Sequence, residues 1–307
     1  MMHRSIRLLA FPAVLSLFLS AAAFAQGGPP PGGGKPPPPP PGLESGKLDS
    51  KVLGMALDYH VLLPKGYAEG DQRYPVVYWL HGTNGSSKGA SAIVSRMFLP
   101  AMASGKAPPM ILVFPDGLKQ AMWVDSKDGR VPMEQMLVRE LVPHIDATYR
   151  TLASSSGRLV EGGSMGGYGA ARLGLKYPQL FGAASMLSAG PMQEVLDPEQ
   201  APIVGRAHAQ DVLDRVYGGD QEYFRSQSPW ALAGQYAESL PESFSLRLIV
   251  GDSDPVLGPN KRFSARLTEL GIAHSYMELE GVGHSPRELF GALRVSPEYW
   301  AFFADVF

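Results

Sequence analysis

The residues best suited to carry out a reaction are those of a serine flanked by glycines, Gly162-Gly163-Ser164-Met165-Gly166. In the pattern Gly-x-Ser-x-Gly, the serine occupies a sharp strand-to-helix turn that exposes its hydroxyl group for nucleophilic attack. The outer glycines have no Cβ, so the backbone can turn tightly there. A phosphate-binding loop is the main alternative, but no Lys-Ser or Lys-Thr pair follows the motif. The motif therefore predicts an acyl-transfer nucleophile at Ser164.

A serine hydroxyl is a weak nucleophile at neutral pH, so it needs a general base within hydrogen-bond reach. Where this turn carries a catalytic triad, the chain order is serine, acid, histidine. His284 follows a predicted strand and the glycine-containing stretch 281–283. His208 lies in an irregular segment and His274 precedes a strand, so neither is placed as well. We therefore predict His284 as the base.

The acid that orients the histidine has two main candidates, Asp252 and Asp254, which both follow the predicted strand at 245–250. Asp254 precedes a proline, which favours an extended backbone. Asp252 comes earlier in the turn, where aspartates often accept hydrogen bonds from backbone amides. Glu280 is a third candidate because it is close to the histidine in sequence. Either aspartate side chain could extend to the histidine, so the sequence does not decide between Asp252 and Asp254.

The tetrahedral intermediate of acyl transfer needs hydrogen-bond donors for its oxyanion. The backbone N–H of Met165 is one predicted donor, since it follows the nucleophile. The Thr83 N–H is the second, because it lies in a loop that begins with His81-Gly82 after an apolar strand. A plain turn is the alternative for that dipeptide.

The chain has no cysteine, which excludes disulfides, thiolate metal sites and a thiol nucleophile. This chemistry needs only side chains, amides and water, so we predict no cofactor and no metal.

Apolar runs and helical periodicity alternate along the chain and must position these groups. They predict strands at residues 55–63, 75–80, 110–114, 158–161, 181–188, 245–250 and 275–279, and helices at 133–150, 165–177, 260–270 and from about 286. Pro143 should interrupt the first of these helices. The alternation predicts an α/β fold with a mostly parallel central sheet and helices on both faces. Catalytic groups of such sheets lie in loops at the carboxyl ends of strands.

The N-terminal region is unlike the rest of the chain. Residues 1–25 combine a basic start, an apolar core and the small-residue site Ala23-Phe24-Ala25, which is typical of a cleaved secretion signal. Residues 26–42 contain nine prolines and six glycines, so we predict a disordered linker at 26–45. One catalytic domain should then occupy residues 46–307.

Composition limits the possible partners and the location of the protein. The formal net charge is −2 and no basic run is present, which argues against nucleic acid as a partner. After the signal no apolar run is long enough to span a membrane, so we predict no membrane anchor after cleavage. An exported chain without disulfides fits a secreted or periplasmic bacterial protein. The sequence does not constrain the oligomeric state.

With these motifs placed, residues 50–307 resemble the esterase D-like family of α/β-hydrolases. That family includes feruloyl and acetyl-xylan esterases, S-formylglutathione hydrolases, tributyrin-type carboxylesterases, enterochelin esterases and mycolyltransferases. The resemblance is carried by Tyr-Trp-Leu-His-Gly at 78–82, Phe-Pro-Asp-Gly at 114–117, Pro-His-Ile-Asp-Ala-Thr-Tyr-Arg-Thr at 143–151, Gly-Ser-Met-Gly-Gly at 163–167 and Gly-His at 283–284. The cysteines common near the active site of formylglutathione hydrolases are absent, which argues against that branch.

The resemblance implies an α/β-hydrolase fold and a function. In the family the acid usually ends a Gly-x-x-Asp segment, which favours Asp254 over Asp252. The implied activity is an exported serine carboxylesterase that cleaves short-chain acyl, acetyl or feruloyl esters through an acyl-enzyme. Its substrates would be small-molecule or polysaccharide-linked esters. An acyltransferase of the mycolyltransferase type, using the same triad, is the alternative.

Two further features concern the substrate pocket. Residues 191–243 lose the strand rhythm and are predicted to form a cap-like excursion over the active site. Trp123, Met192 and Trp230 are candidate substrate-binding residues because of their size and apolar character. Packing in the core is the alternative role, and it is the more common one for such side chains.

Overall fold

The computed structural model describes residues 38–307, and the bounds of its strands and helices follow. The strands are β1 Leu43–Ser50, β2 Met55–Leu62, β3 Val76–Leu80, β4 Ile111–Pro115, β5 Arg158–Gly163, β6 Ala183–Leu187, β7 Ser245–Gly251 and β8 Ser275–Leu279. The helices are α1 Ser87–Ala103, α2 Met133–Gln135, α3 Val142–Thr148, α4 Met165–Lys176, α5 Arg206–Tyr217, α6 Gln221–Gln227, α7 Pro229–Tyr236, α8 Leu257–Glu269, α9 Pro286–Val295 and α10 Pro297–Val306. Each of the seven predicted strands is found, with bounds within two residues of the prediction.

The strands form one eight-stranded sheet in the order β1-β2-β4-β3-β5-β6-β7-β8. Strands β3 to β8 all run parallel to one another, whereas β2 runs antiparallel to its two neighbours, β1 and β4. This order confirms the predicted mostly parallel sheet. The carboxyl ends of the parallel strands therefore meet at one edge, where ligands bind in sheets of this kind.

Both faces of the sheet are buried, as β3 shows directly. Val76, Tyr78 and Leu80 belong to one apolar cluster, while the alternate residues Val77 and Trp79 belong to the other. Strand side chains alternate between faces, so a continuous apolar run is the pattern of a strand covered on two sides. Helices α1, α9 and α10 pack on one face, and α4 to α8 contribute to the cluster on the other. The prediction of helices on both faces is confirmed.

The predicted boundary between linker and domain is wrong by three residues. Strand β1 begins at Leu43, which pairs with Leu62, and it continues through Ser45, which pairs with His60. The preceding run of prolines ends at Pro41. All residues of β1 therefore have the backbone N–H group that a strand ladder requires. The domain therefore starts at 43 rather than 46. The predicted signal at 1–25 and residues 26–37 of the linker lie outside the described residues.

The predicted helix at 133–150 is present but changes type along its length. Helix α2 leads into a π-helical stretch at Met136–Leu141, which continues directly as α3 and ends at Thr148. Pro143 is the second residue of α3. Its ring lacks an N–H and crowds the carbonyl four residues earlier, which lies in the wider π turn. The predicted interruption is thus a change of hydrogen-bond pattern. No helix within residues 38–307 is long and apolar enough to cross a membrane.

A buried ionic cluster ties three strands of the sheet to the C-terminal helix. Glu161, Ser185 and Arg247 are aligned across β5, β6 and β7 in the strand register. The Arg247 guanidinium donates to Glu161 Oε1 at 3.0 Å, to Ser185 Oγ at 3.0 Å and to the Tyr299 carbonyl at 2.7 Å. The Tyr299 hydroxyl donates to the other Glu161 oxygen at 3.0 Å. Burial raises the pKa of Glu161, and Arg247 opposes that shift.

Arg247→Met is expected to destabilise the fold by about 3–5 kcal/mol, because it leaves the Glu161 carboxylate buried without its cation. The free energy of urea unfolding measures this loss. The double variant Glu161→Leu/Arg247→Met removes both charges and should be more stable than Arg247→Met alone. Equal losses in the single and double variants would contradict the assignment of this pair as mutually dependent charges.

Candidate active site

Ser164 occupies a strained turn between β5 and α4. Its backbone has φ 56° and ψ −119°, a conformation that L-residues rarely adopt outside functional sites. The Ser164 N–H donates to the Leu187 carbonyl at 2.9 Å, which ties the turn to the end of β6. A Cβ on Gly166 would lie 1.9 Å from the Leu80 carbonyl oxygen, so only glycine allows α4 to begin against the end of β3. Close backbone packing at this turn therefore explains why the sequence has glycine at position 166, as the motif predicts.

The structure brings the predicted serine, histidine and one aspartate into a single hydrogen-bonded row. Ser164 Oγ lies 3.0 Å from His284 Nε2. His284 Nδ1 lies 2.9 Å and 3.0 Å from the two carboxylate oxygens of Asp254. The Asp254 side chain is fully buried, and that of His284 is 10% exposed. Because a carboxylate accepts only, the ring proton sits on Nδ1, and the unprotonated Nε2 accepts from the Ser164 hydroxyl.

The two candidate aspartates have different partners. Asp252 Oδ1 accepts from the Gly281 N–H at 2.9 Å and from the Ser253 hydroxyl at 3.0 Å, so it connects two loops. Asp254 Oδ1 accepts from the Val256 N–H at 2.9 Å in addition to its contact with the histidine. Glu280, the third candidate, is exposed. Of the three, the structure places Asp254 against the imidazole.

The two predicted oxyanion donors lie beside the serine. Met165 is the first residue of α4, and the first N–H groups of a helix have no partner within it. The aligned peptides of α4 also place positive potential at that end. Thr83 lines the same cavity as Ser164. Within residues 38–307 the Thr83 N–H has no protein acceptor, whereas the next amide, Asn84 N–H, donates to the Lys119 carbonyl at 2.9 Å.

A cavity of about 530 Å³ opens beside Ser164 and is largely apolar. Most of its wall comes from the segment between β6 and β7, and the rest from the loop after β3, the loop after β4, the serine turn and the start of α8 with the residues just before it. Its lining residues are Thr83, Met122, Ser164, Gly190, Pro191, Gln193, Val195, Leu196, Asp197, Gln200, Ala201, Pro202, Ile203, Val204, His208, Ala209, Val212, Pro255, Val256, Pro259 and Arg262. Within the predicted cap-like segment 191–243, residues between 191 and 212 therefore line the cavity beside Ser164.

None of the three predicted substrate-binding residues lines this cavity. Trp123 and Met192 are buried, and the indole N–H of Trp123 donates to the His81 carbonyl at 3.1 Å. Trp230 packs partly buried against the core and donates from its indole to the Met192 carbonyl at 2.9 Å. In the structure these side chains pack and position loops, and their role in substrate binding stays a prediction. The pocket is instead lined by smaller residues such as Ile203, which carry no distinctive signal in the sequence.

A buried arginine on α4, the helix that begins at the serine turn, connects that helix to the loop after β4 and to α6. Arg172 is fully buried and donates to the Trp123 carbonyl at 2.8 Å and to the Gln227 carbonyl at 2.6 Å. Its other nitrogen donates to Glu134 Oε2 at 2.8 Å. Burial alone would raise the pKa of Glu134, but the ion pair with Arg172, together with a hydrogen bond from Lys176, lowers it to about 2. This pair therefore stays ionised at neutral pH and holds the segment after β6 against α4.

No group of three or more His, Asp or Glu side chains within the described range is arranged to hold a metal ion. The possible chemistry of the site comes from the serine row and the two amides. A parallel sheet in this strand order, with a serine on the turn after β5 and a histidine after β8, defines an α/β-hydrolase. The predicted fold class is thus confirmed.

The chain belongs to the family described as putative esterase, which it matches over residues 50–284. An esterase of Mycobacterium tuberculosis is 31% identical over 262 residues, which cover 78% of this chain and 54% of that protein. An endo-1,4-beta-xylanase/feruloyl esterase of Xylanibacter ruminicola is 31% identical over 167 residues, or 49% of this chain and 22% of that protein. The chain therefore spans about half the length, or less, of these curated relatives.

The fold is also shared with a solved ferulic acid esterase. That structure superposes with a TM-score of 0.71 at 26% sequence identity, covering 86% of this chain and 98% of the other. These similarities confirm the resemblance to the esterase D-like family that the sequence motifs indicated.

Proposed function

We propose that the chain is an exported serine carboxylesterase that works through an acyl-enzyme. The observation that carries the proposal is the 3.0 Å contact between Ser164 Oγ and His284 Nε2, with Asp254 on the other ring nitrogen. A hydroxyl held in this way can lose its proton to the imidazole as it attacks a carbonyl carbon. The proposed export rests on the sequence of residues 1–25.

In the acylation step, Ser164 Oγ attacks the ester carbonyl while His284 Nε2 takes its proton. Asp254 stabilises the resulting imidazolium through Nδ1–H without itself becoming protonated. The carbonyl oxygen becomes an anion and accepts from the Thr83 and Met165 amides. Collapse of the intermediate breaks the bond to the alcohol oxygen, which receives the proton from Nε2. The acyl group remains on Ser164 as an ester.

In the deacylation step, water takes the place of the alcohol. His284 accepts a proton from the water as it attacks the acyl carbon. The bond between that carbon and Ser164 Oγ then breaks, Oγ receives the proton from Nε2, and the carboxylic acid leaves. An acceptor alcohol in place of water would give acyl transfer with the same groups. Product analysis with and without glycerol separates hydrolysis from this alternative.

A fluorophosphonate probe tests the proposal directly, because it reacts covalently with an activated serine. Peptide mass spectrometry of the labelled chain should place the adduct on Ser164. The same preparation should hydrolyse 4-nitrophenyl acetate. An unlabelled Ser164 in folded, undamaged protein would argue against an acyl-enzyme.

The cavity beside Ser164 favours acyl groups larger than acetyl among the proposed substrates. Its volume of about 530 Å³ lies in the range of pockets that enclose whole small molecules. Its apolar lining stabilises an apolar acyl group by roughly 25 cal/mol for each Å² of surface removed from water. An acetyl group is too small to use most of that lining. We therefore propose aromatic acyl esters of the feruloyl type, free or linked to polysaccharide, as the preferred substrates.

Ile203→Trp should discriminate between acyl groups, because Ile203 lines the cavity in a loop that can accept a larger side chain. We expect kcat/KM for 4-nitrophenyl ferulate to fall about tenfold or more, since a filled pocket excludes the ring. For 4-nitrophenyl acetate the change should stay under about threefold. Both esters release the same alcohol, so the comparison isolates the acyl side.

Ile93→Trp is the matched control, since Ile93 is exposed on α1 and does not line the cavity. It should leave both activities unchanged. Parallel losses on ferulate and acetate in Ile203→Trp would place the acyl group somewhere other than this cavity.

A further inference from the structure

We propose that His81 is a positioning residue for the oxyanion site, because it holds the Gly82–Thr83 peptide in the orientation that presents the Thr83 amide. This role rests on the proposed function, since an oxyanion forms only if the site performs acyl transfer. His81 is buried and does not line the cavity. Its effect must therefore pass through the loop that it holds.

Both ring nitrogens of His81 have backbone partners. His81 is only 2% exposed. The Gly117 N–H donates to Nε2 at 2.8 Å, so Nε2 carries no proton. Nδ1 lies 2.8 Å from the Gly82 carbonyl oxygen, which can only accept, so Nδ1 carries the proton. These contacts fix one neutral tautomer, in keeping with the burial that lowers the pKa of His81 despite the nearby Asp116 carboxylate.

The bond to Gly82 acts on Thr83 because both belong to one peptide unit. The carbonyl of residue 82 and the N–H of residue 83 share a rigid plane, and in a trans peptide they point in opposite directions. Anchoring the carbonyl to His81 Nδ1–H therefore sets the direction of the Thr83 N–H. The Gly85 N–H donates to the same carbonyl at 3.0 Å, which closes the turn behind it.

The imidazole is itself held from other sides. Its Nε2 partner Gly117 lies in the loop after β4, and the backbone carbonyl of His81 accepts from the Trp123 indole at 3.1 Å. The Trp123 ring meets the imidazole edge-on at 5.2 Å between centroids. A Cβ on Gly85 would lie 2.8 Å from His81 Nδ1. The ring therefore has little room to move, which is what a residue that fixes a donor requires.

Three substitutions of His81 distinguish the effect of its Nδ1 hydrogen bond to Gly82 from that of its Nε2 hydrogen bond to Gly117. His81→Leu removes both, and we expect kcat for 4-nitrophenyl acetate to fall about 100-fold or more while KM changes less than about threefold. His81→Asn keeps an amide near the Nδ1 position and can still donate to Gly82. His81→Gln places its amide nearer the Nε2 position and loses the Gly82 anchor. We therefore expect kcat in the order wild type, Asn, Gln, Leu, and the comparison of Asn with Gln stands even if His81→Leu fails to fold.

The control is His274→Leu, because His274 also has hydrogen-bond partners at both nitrogens, Ser264 Oγ at 2.7 Å and the Ile272 carbonyl at 2.9 Å. It lies before β8, at the opposite edge of the sheet from the site, and should leave kcat unchanged. The inhibition constant of a trifluoromethyl ketone, which forms an oxyanion on Ser164, should rise in parallel with the loss of kcat in the His81 variants. In nitrogen NMR of the wild type, His81 should appear as the neutral Nδ1–H tautomer.

A lower Tm in the His81 variants with unchanged kcat and inhibition constant would overturn the proposal, as would an Nε2–H or protonated His81 in the wild type. A folded wild type that neither hydrolyses esters nor reacts with a fluorophosphonate would instead contradict the proposed function, and the positioning role with it. These outcomes are distinguishable because the first leaves wild-type activity intact.

Discussion

Ser164→Ala is expected to lower kcat for 4-nitrophenyl acetate by roughly 10⁴-fold or more, because it removes the only atom that forms the acyl-enzyme bond. The residual rate should come from the oxyanion donors and from substrate binding, which act without a nucleophile. KM should change little, since the deleted oxygen contributes mainly after attack begins. Steady-state kinetics and loss of fluorophosphonate labelling measure the two effects together.

The fold should tolerate this substitution. Alanine keeps the Cβ that the strained turn already accommodates, and Ser164 as a residue is only 7% exposed, so little surface changes. Ser95→Ala is the control: Ser95 is a fully buried serine on α1 whose hydroxyl has no hydrogen-bond partner within residues 38–307. Both variants should keep wild-type circular dichroism. Retention of more than about a tenth of wild-type kcat in Ser164→Ala would exclude the serine as the nucleophile.

The turn at Ser164 could be predicted because its requirements are local. Glycine is needed at position 166 because a Cβ there would lie 1.9 Å from the Leu80 carbonyl oxygen, and such a steric requirement is visible in the sequence. The apolar run that forms β3 is equally local, since a strand buried on both faces needs apolar side chains on both. Chain order then indicated His284 as the partner of the serine.

Helix α1 was not predicted, although a signal for it exists. Val94, Phe98 and Ala101 recur at helical spacing and face the second apolar cluster. Small residues and the interior Pro100 dilute that pattern. Strand β1 does not follow from the sequence for another reason, because its outward-facing residues are polar and its pairing partner lies further along the chain.

The direction of a loop side chain does not follow from the sequence. Trp123 has a φ of 54°, and this backbone turn sends its ring behind the site instead of into it. A large apolar residue near the active site is compatible with either direction, so residue type alone could not decide. The same holds for Asp252 and Asp254, which are two residues apart in one turn and differ only in where their carboxylates point.

Asp254→Asn is expected to lower kcat by about 10⁴-fold through the tautomer of His284, with little change in geometry. The Asn oxygen would stay on the Val256 N–H, which now lies 2.9 Å from Asp254 Oδ1. Its NH₂ group would then face His284 Nδ1 and donate to it. The imidazole proton would move to Nε2, which could no longer accept from Ser164. The loss should appear in kcat for 4-nitrophenyl acetate, with a KM close to that of the wild type.

Asp252→Asn is the matched control for this prediction, since it makes the same chemical change two residues away. Asp252 accepts from the Gly281 N–H, and the amide oxygen of asparagine can still accept there. We therefore expect its kcat to stay within about threefold of wild type, because Asp254 is the carboxylate that lies against the imidazole. A larger loss in Asp252→Asn than in Asp254→Asn would reverse the assignment of the acid. Comparable losses would mean that the two loops, rather than one carboxylate, keep the histidine in place.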